Sequence, residues 1–328
     1  MATERSDGVE PRRVLVLGAT GTIGRATVRA LALRGHAVVC LVRRPVNTPF
    51  PAGATERIVD FTDPFSMARD GVRGEPFDVL VSCLASRTGL ADDAWAIDYG
   101  VPVSALQASR AAGVGHVVLL SAICVQKPIL AFQHAKLAFE RVLIASGLDY
   151  TIVRPTAFFK SLSGQIDRVK RGKPFLLFGD GTLTACKPIS DDDLGRYLAD
   201  CLDAPERRNR VLPIGGPGEA ITPRAQGERL FALLGREPRF TQVPVRLLDV
   251  IVAVLAAIGR WVPALAAKAE LARIGRYYAT ESMLVLDPAT GRYDAQATPS
   301  TGSATLFAYY ARVIRGEAVA ERGDHAVF

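Results

Sequence analysis

RVLVLGATGTIGRATVRALALRG, residues 13–35, decides the fold. Arg13 to Leu17 is a short β-branched and leucine run, the composition of a strand buried on both faces. It runs straight into Gly18, Gly21 and Gly24 at G-x-x-G-x-x-G spacing. An alanine-rich helical pattern follows from about Ile23 to Arg34 and stops at Gly35. Strand, glycine turn and helix in this order build a dinucleotide site. Glycine allows the tight turn, the approach of backbone to a pyrophosphate and the close packing of helix on sheet. The helix N-terminus then turns its free N–H groups toward the phosphates. Gly18, Thr20, Gly21, Thr22, Ile23 and Gly24 are the expected contacts.

Further along, Ala37 to Val42, Arg57 to Val59, Val79 to Cys83, His116 to Leu120 and Tyr150 to Val153 read as strands. Helical segments, among them Ala94 to Ala112 and Ala135 to Ser146, lie between most of them. Continuous apolar strands alternating with helices predict a parallel sheet covered on both faces. The expected fold is α/β: a Rossmann-type doubly wound parallel sheet with a smaller C-terminal α+β substrate lobe. Residues 1–11 read as a flexible tail, 12–157 as the dinucleotide-binding domain and 158–328 mainly as the substrate lobe, with 188–215 returning to the first domain. In the second half Phe175 to Phe178 is a short strand between turn signals. Ser190 caps a helix through Leu202, whose first-turn acids Asp191, Asp192 and Asp193 suit the helix dipole better than a metal.

The second strand selects the dinucleotide. NAD enzymes usually end it with an acid for the ribose hydroxyls. Here Arg43-Arg44 stands there with no acid nearby, and guanidinium groups bind a 2′-phosphate. The cofactor reading is NADPH. Asp60, after the third strand, suits either the adenine amino group or a turn cap. The ends of later strands add Cys83, Leu84, Ala85, Ser121, Pro155, Thr156 and Phe158 to the expected cofactor contacts.

Bulk properties narrow the class. The 328 residues are 49% hydrophobic and 22% charged, ordinary for a globular protein with a substantial core. The formal charge is +7, but no basic helix or aromatic-basic interleaving supports nucleic-acid binding. The five scattered cysteines fit neither a disulfide framework nor a zinc site, and no metal is expected. The first residues lack a secretory apolar run and carry many acids for a transit peptide, so the reading is cytoplasmic. Leu247 to Ile258 is the longest apolar stretch and too short to span a bilayer. It reads first as a buried helix or pocket wall, and otherwise as a surface for a membrane or an apolar ligand.

The glycine spacing, the arginine pair and Arg154-Pro155-Thr156 resemble the extended and atypical short-chain dehydrogenase/reductases, including the NmrA and isoflavone-reductase-like group. Most of that superfamily uses Tyr-x-x-x-Lys and a serine after the fifth strand. Here Lys136 is present, but Phe132 stands four residues before it. Ser121 lies next to the expected serine place, which Ala122 occupies. Without an acid to protonate an alkoxide, alcohol–ketone chemistry is disfavoured. LLSAICVQKP (119–128), FQHAK (132–136), RPTAFFKSL (154–162), FGDG (178–181), CKPIS (186–190), YYATESML (277–284) and TPSTG (298–302) closely resemble the NADPH-dependent 8-vinyl reductases of divinyl (proto)chlorophyllide.

That resemblance implies reduction of a vinyl group conjugated to a magnesium porphyrin or chlorin in (bacterio)chlorophyll biosynthesis for photosynthesis. Hydride would reach the vinyl terminus and the charge would spread into the ring, so no alkoxide forms. Lys136 is the expected catalytic residue, as ribose holder or proton relay. His134, Phe159, Lys160 and Lys187 are the expected substrate contacts, the lysines toward the propionate. Peripheral contact with a photosynthetic membrane is compatible with such a substrate. Chlorophyllide or protochlorophyllide, and the oligomeric state, stay open at this point. The rival reading is a non-catalytic NADP-binding redox sensor or assembly factor.

Overall fold

The computed structural model describes residues 10–319, so most of the expected N-terminal tail and the last nine residues lie outside the described residues. Within them the chain follows β1 (Arg13–Leu17), α1 (Thr22–Leu33), β2 (Ala37–Val42), β3 (Ala54–Ile58), β4 (Val79–Ser82), α2 (Ala91–Ala94), α3 (Val101–Ala111), β5 (His116–Leu120), α4 (Ala131–Ile144) and β6 (Asp149–Pro155). It continues through α5 (Ile166–Lys170), β7 (Phe175–Phe178), α6 (Asp191–Asp200), β8 (Arg210–Ile214), α7 (Pro223–Leu233) and β9 (Phe240–Val243). Last come α8 (Val245–Gly259), α9 (Pro263–Thr280), β10 (Val285–Leu286), β11 (Tyr293–Asp294) and α10 (Leu306–Arg315).

Seven strands form one sheet in the order β3-β2-β1-β4-β5-β6-β8, every pair parallel. The strand order reverses between β1 and β4, the switch point at which such sheets bind ligands beyond their carboxyl ends. Two apolar layers sandwich the sheet. Val14, Val16, Val81 and Val153 face α1 and α6, while Leu15, Leu17, Leu80 and Ile152 face α3 and α4. A two-stranded parallel pair, β7 with β9, packs with α5, α7 and α10 around Phe231 and Tyr310 as a second, smaller core.

The chain crosses between these cores more than once. β8 pairs with β6, and α6 lies along α1, where a Cβ on Gly195 would stand 2.6 Å from the Ala26 carbonyl carbon. Ser190 caps α6 by accepting from the Asp193 amide at 3.0 Å, and the Asp193 carboxylate accepts from the Ala304 amide at 3.1 Å. Ser190 is thus the cap and Asp193 the anchor.

Two sequence expectations need correction. The helix foreseen over Ala94 to Ala112 is interrupted by a π-helical turn at Trp95–Gly100. Pro102 has no N–H to give to the carbonyl four residues back, and the helix absorbs that loss by widening. The Leu247 to Ile258 stretch is a helix but contributes no buried residue. One side of α8 covers α9, and its other side is bare.

His116 supplies a pH test of the sheet. It is buried at the start of β5 with Nε2 3.0 Å from the Thr151 hydroxyl, while Nδ1 has no partner. Burial, aided by the nearby Arg208 charge, pushes its pKa from 6.5 down to about 4. The unfolded chain therefore binds the extra proton first, and stability falls as pH drops from about 6.5 toward 4. His116→Gln should remove up to about 3 kcal/mol of that loss, measured by urea denaturation across the window.

Candidate active site

The glycine turn is held by contact at two of its three glycines. Gly18 has φ +71°, and a Cβ there would lie 2.6 Å from the Cys83 carbonyl. A Cβ on Gly24 would lie 2.0 Å from the Gly18 oxygen, so α1 begins directly against the turn. Gly21 is different: its nearest neighbour would be 3.5 Å away, and it caps α1 in the open. Thr20 and Gly21 are exposed, Thr22 is half-buried and Ile23 is core. No acid stands in the first turn of α1, which leaves the helix N-terminus free for an anion. A turn packed this tightly on β4 and on α1, with Gly21 open at the helix N-terminus, fits a dinucleotide pyrophosphate.

Arg43 and Arg44 emerge exposed from the end of β2, beside the turn on β1. Arg25 of α1 donates to the Thr48 carbonyl at 3.2 Å and lies over the Phe50 ring, fixing the loop behind them. Asp60 takes the turn-cap role: it accepts from the Thr62 amide at 2.8 Å and the Thr62 hydroxyl at 2.7 Å. Those hydrogen bonds hold its carboxyl below the usual range. Cys83 is buried against Gly18, and burial pushes its thiol up to about 12, while Ala85 is exposed.

Beyond β4 and β5 lies a buried polar cluster only partly foreseen. Lys136 on α4 pairs with Asp98 of the π-helical turn at 2.8 Å, with 12% and 0% of the two side chains exposed. The Ser86 amide donates to the same carboxylate at 3.3 Å. The second Asp98 oxygen and the Ser82 hydroxyl have no partner. Ser82, Leu84, Asp98, Ser121 and Lys136 line one small cavity. An orphaned acceptor beside a lysine at the switch point is what a ribose hydroxyl needs, so this cluster also fits the cofactor.

Ser121 is already engaged: its hydroxyl donates to Glu140 at 2.5 Å, and Arg154 pairs with the same buried carboxylate. The sequence reading missed Asp98, Ser82, Glu140 and Arg154 as one group. The only local signal was Asp98 three residues before Val101-Pro102 in an otherwise helical run.

Phe132 is packed against Ile274 of α9 and holds no hydroxyl near Lys136. Tyr277 and Tyr278 converge instead on Cys124, Tyr277 donating to its carbonyl at 2.8 Å. Burial raises both phenols.

The four expected substrate contacts do not assemble. His134 is exposed and, two residues from Lys136, points about 200° around the helix from it. Phe159 is a core residue stacked near Tyr309. Lys187 donates to the Thr298 carbonyl at 2.9 Å, and its own carbonyl accepts from the Thr156 hydroxyl. Lys160 reaches Thr22 at 3.0 Å, on the phosphate side of the turn. Pro155 and Thr156 are buried at the end of β6, and Phe158 is half-buried beside Ile189.

A family model described as NAD(P)H-binding matches residues 18–205. The divinyl chlorophyllide a 8-vinyl-reductase of Zea mays is 50% identical over 96% of this chain and 82% of its own length. The chain belongs to the divinyl chlorophyllide a 8-vinyl-reductase family. The Arabidopsis thaliana member is 48% identical over 95% of this chain and 79% of its own. The NADPH-dependent quinone oxidoreductase QOR2 of Escherichia coli superposes with a TM-score of 0.66, at 17% identity over 92% and 99% of the two chains, a likeness of fold.

The glycines give a paired test for this 8-vinyl-reductase family member. Gly24→Ala should lower the Tm of the free protein by several degrees and abolish the rise that NADPH induces. Gly21→Ala should leave the free Tm unchanged and shrink only the NADPH-induced rise, both read by thermal shift.

Proposed function

We propose that this protein reduces the C8 vinyl group of divinyl chlorophyllide a or protochlorophyllide to ethyl, with NADPH as reductant. One observation carries the reading. In a chain of the 8-vinyl-reductase family, a half-buried Lys136 is paired with a buried Asp98 while Phe132 fills the place of a proton-donating hydroxyl. A conjugated vinyl group is a substrate for which that arrangement suffices, because the developing negative charge spreads into the macrocycle rather than onto one oxygen.

NADPH, when bound, supplies the hydride that such a reduction consumes. Gly18, Gly21, Gly24 and Thr22 would hold its pyrophosphate, and Arg43 with Arg44 its 2′-phosphate. Asp98 is the positioning residue: it fixes the Lys136 ammonium and leaves one oxygen open to a hydroxyl. Lys136 then orients the nicotinamide ribose and keeps a proton at Nζ within the site. Phe132 and Leu84 keep the reacting face apolar and exclude water. The free, mostly buried cysteines suit a reducing compartment, and we place the protein in the cytoplasm in peripheral contact with the photosynthetic membrane.

Purified protein mixed with divinyl chlorophyllide a and NADPH should shift the Soret band to the blue. An unchanged band with NADPH binding intact would favour the non-catalytic NADP-binding alternative. Replacing both arginines, Arg43→Glu with Arg44→Glu, should cut kcat/KM for NADPH relative to NADH by at least roughly 100-fold, since each guanidinium–phosphate contact is worth about 1.5–3 kcal/mol.

Lys136→Met and Asp98→Asn should each raise the KM for NADPH roughly tenfold, the loss of about one charge-assisted hydrogen bond. A fall in kcat alone for Lys136→Met would assign it the proton relay. A change in far-UV circular dichroism without a KM effect would make Asp98 purely structural.

A further inference from the structure

α8 is amphipathic in an unusual sense: both of its long faces are apolar, and only one is covered. Val245, Leu248, Val252, Leu255 and Ala256 face α9 and are half-buried. Leu247, Val250, Ile251, Val254 and Ile258 recur at i, i+3, i+4, i+7 and i+11, which sets them on a single stripe on the opposite side. All five are exposed, Val250 by 57%. The stripe runs the length of 15 residues, about 22 Å, and ends at Trp261, which is 87% exposed in the turn before α9. A continuous apolar patch of this kind is uncommon on a monomer and marks a contact surface.

Charge identifies the partner. The hairpin 245–280 carries five cations (Arg246, Arg260, Lys268, Arg273, Arg276) and two acids, Asp249 and Glu270, a net of +3. Both acids are occupied, Asp249 by Arg276 and Glu270 by Arg273 at 2.8 Å. Arg246, Arg260 and Lys268 are exposed, and no ion pair engages them among the described residues. On the helical projection Arg246 lies beside one edge of the stripe, about 100° from its centre, while Arg260 follows the end of α8 next to Trp261. Two copies meeting through this face would bring two hairpins of net positive charge together, and a single convex helix is the wrong shape to enclose a flat pigment. An exposed apolar stripe, unpaired cations at one edge and at the tip, and an indole at that tip match the interface of an anionic bilayer.

We infer that α8 lies in the surface of an anionic lipid membrane, with Trp261 at the headgroup level. This rests on, and deepens, the peripheral contact proposed above. No described helix is long and apolar enough to cross a membrane, so the contact is interfacial. The hairpin is mounted on the reactive side of the protein. Ile274 of α9 reaches Gly89 and Phe132, and Tyr277 binds Cys124, so docking brings the Lys136 cluster beside the phase into which an apolar macrocycle partitions.

The full chain is mixed with vesicles of equimolar phosphatidylglycerol and phosphatidylcholine, without pigment or NADPH, and sedimented. It should pellet with them, bind pure phosphatidylcholine at least about 25-fold less, and release at high salt. In Trp95→Phe, where Trp261 is the sole indole, emission should shift to the blue on adding anionic vesicles. The combined change Val254→Ser, Ile258→Ser, Trp261→Ser should lower the partition coefficient at least tenfold. Arg246→Gln with Arg260→Gln should lower it about 25-fold, fivefold per cation. These side chains are exposed, so circular dichroism should not change. Three results would overturn the inference: no sedimentation of the native chain, equal sedimentation of the variants, or a solution dimer that the triple serine change dissolves. Because neither pigment nor cofactor is present, the outcome is independent of whether the vinyl-reductase reading holds.

Discussion

The contact between the Gly18 carbonyl and Gly24 is the constraint on which the rest of the molecule depends. With 2.0 Å available to a Cβ, α1 can leave the turn only if both positions stay bare. That fixes α1 on the sheet, and α1 in turn receives α6 through the close approach of Gly195 to Ala26. α6 carries Asp193, which holds the Ala304 amide and with it the approach to α10. A sequence of backbone-level contacts thus runs from the phosphate turn to the C-terminal segment. The cofactor cradle and the second core are consequently parts of one packing problem.

Charge burial at the other end of the site is costly in itself, and it is concentrated. Lys136 and Glu140 stand one turn apart on α4 and pair with Asp98 of the π-helical turn and Arg154 of β6. Buried pairs of this kind contribute little net stability compared with apolar side chains of similar size. Their retention around a cavity with unpaired Asp98 and Ser82 oxygens is consistent with a site arranged for polar ligand atoms rather than for stability. Phe132, by contrast, adds apolar surface at the one position where this fold most often places a hydroxyl. The cluster therefore holds charge firmly, while Phe132 beside it offers no hydroxyl.

Some of this was legible in the residues alone. The RVLVL run, the glycine spacing and Arg43-Arg44 act over a few residues of chain, and their structural places follow from local geometry. Other expected contacts are placed apart from one another, for identifiable reasons. His134 sits in the FQHAK motif, yet helical rotation turns it away from Lys136. Phe159 and Lys187 lie in conspicuous motifs but serve the core and the Thr298 carbonyl. Asp98 looked like one more polar residue of a helix until Pro102 forced the π-helical turn that carries it to Lys136.

The sequence by itself determined the doubly wound sheet, the phosphate turn and the character of the dinucleotide, because strand burial and glycine sterics are encoded within short windows. Only the tertiary structure decided which acid meets Lys136, that Ser121 is bound to Glu140, and which side of α8 is bare. Those outcomes join residues far apart, 98 with 136 and 124 with 277. Periodicity can tell that a helix has apolar faces; it takes the folded chain to say what covers each of them.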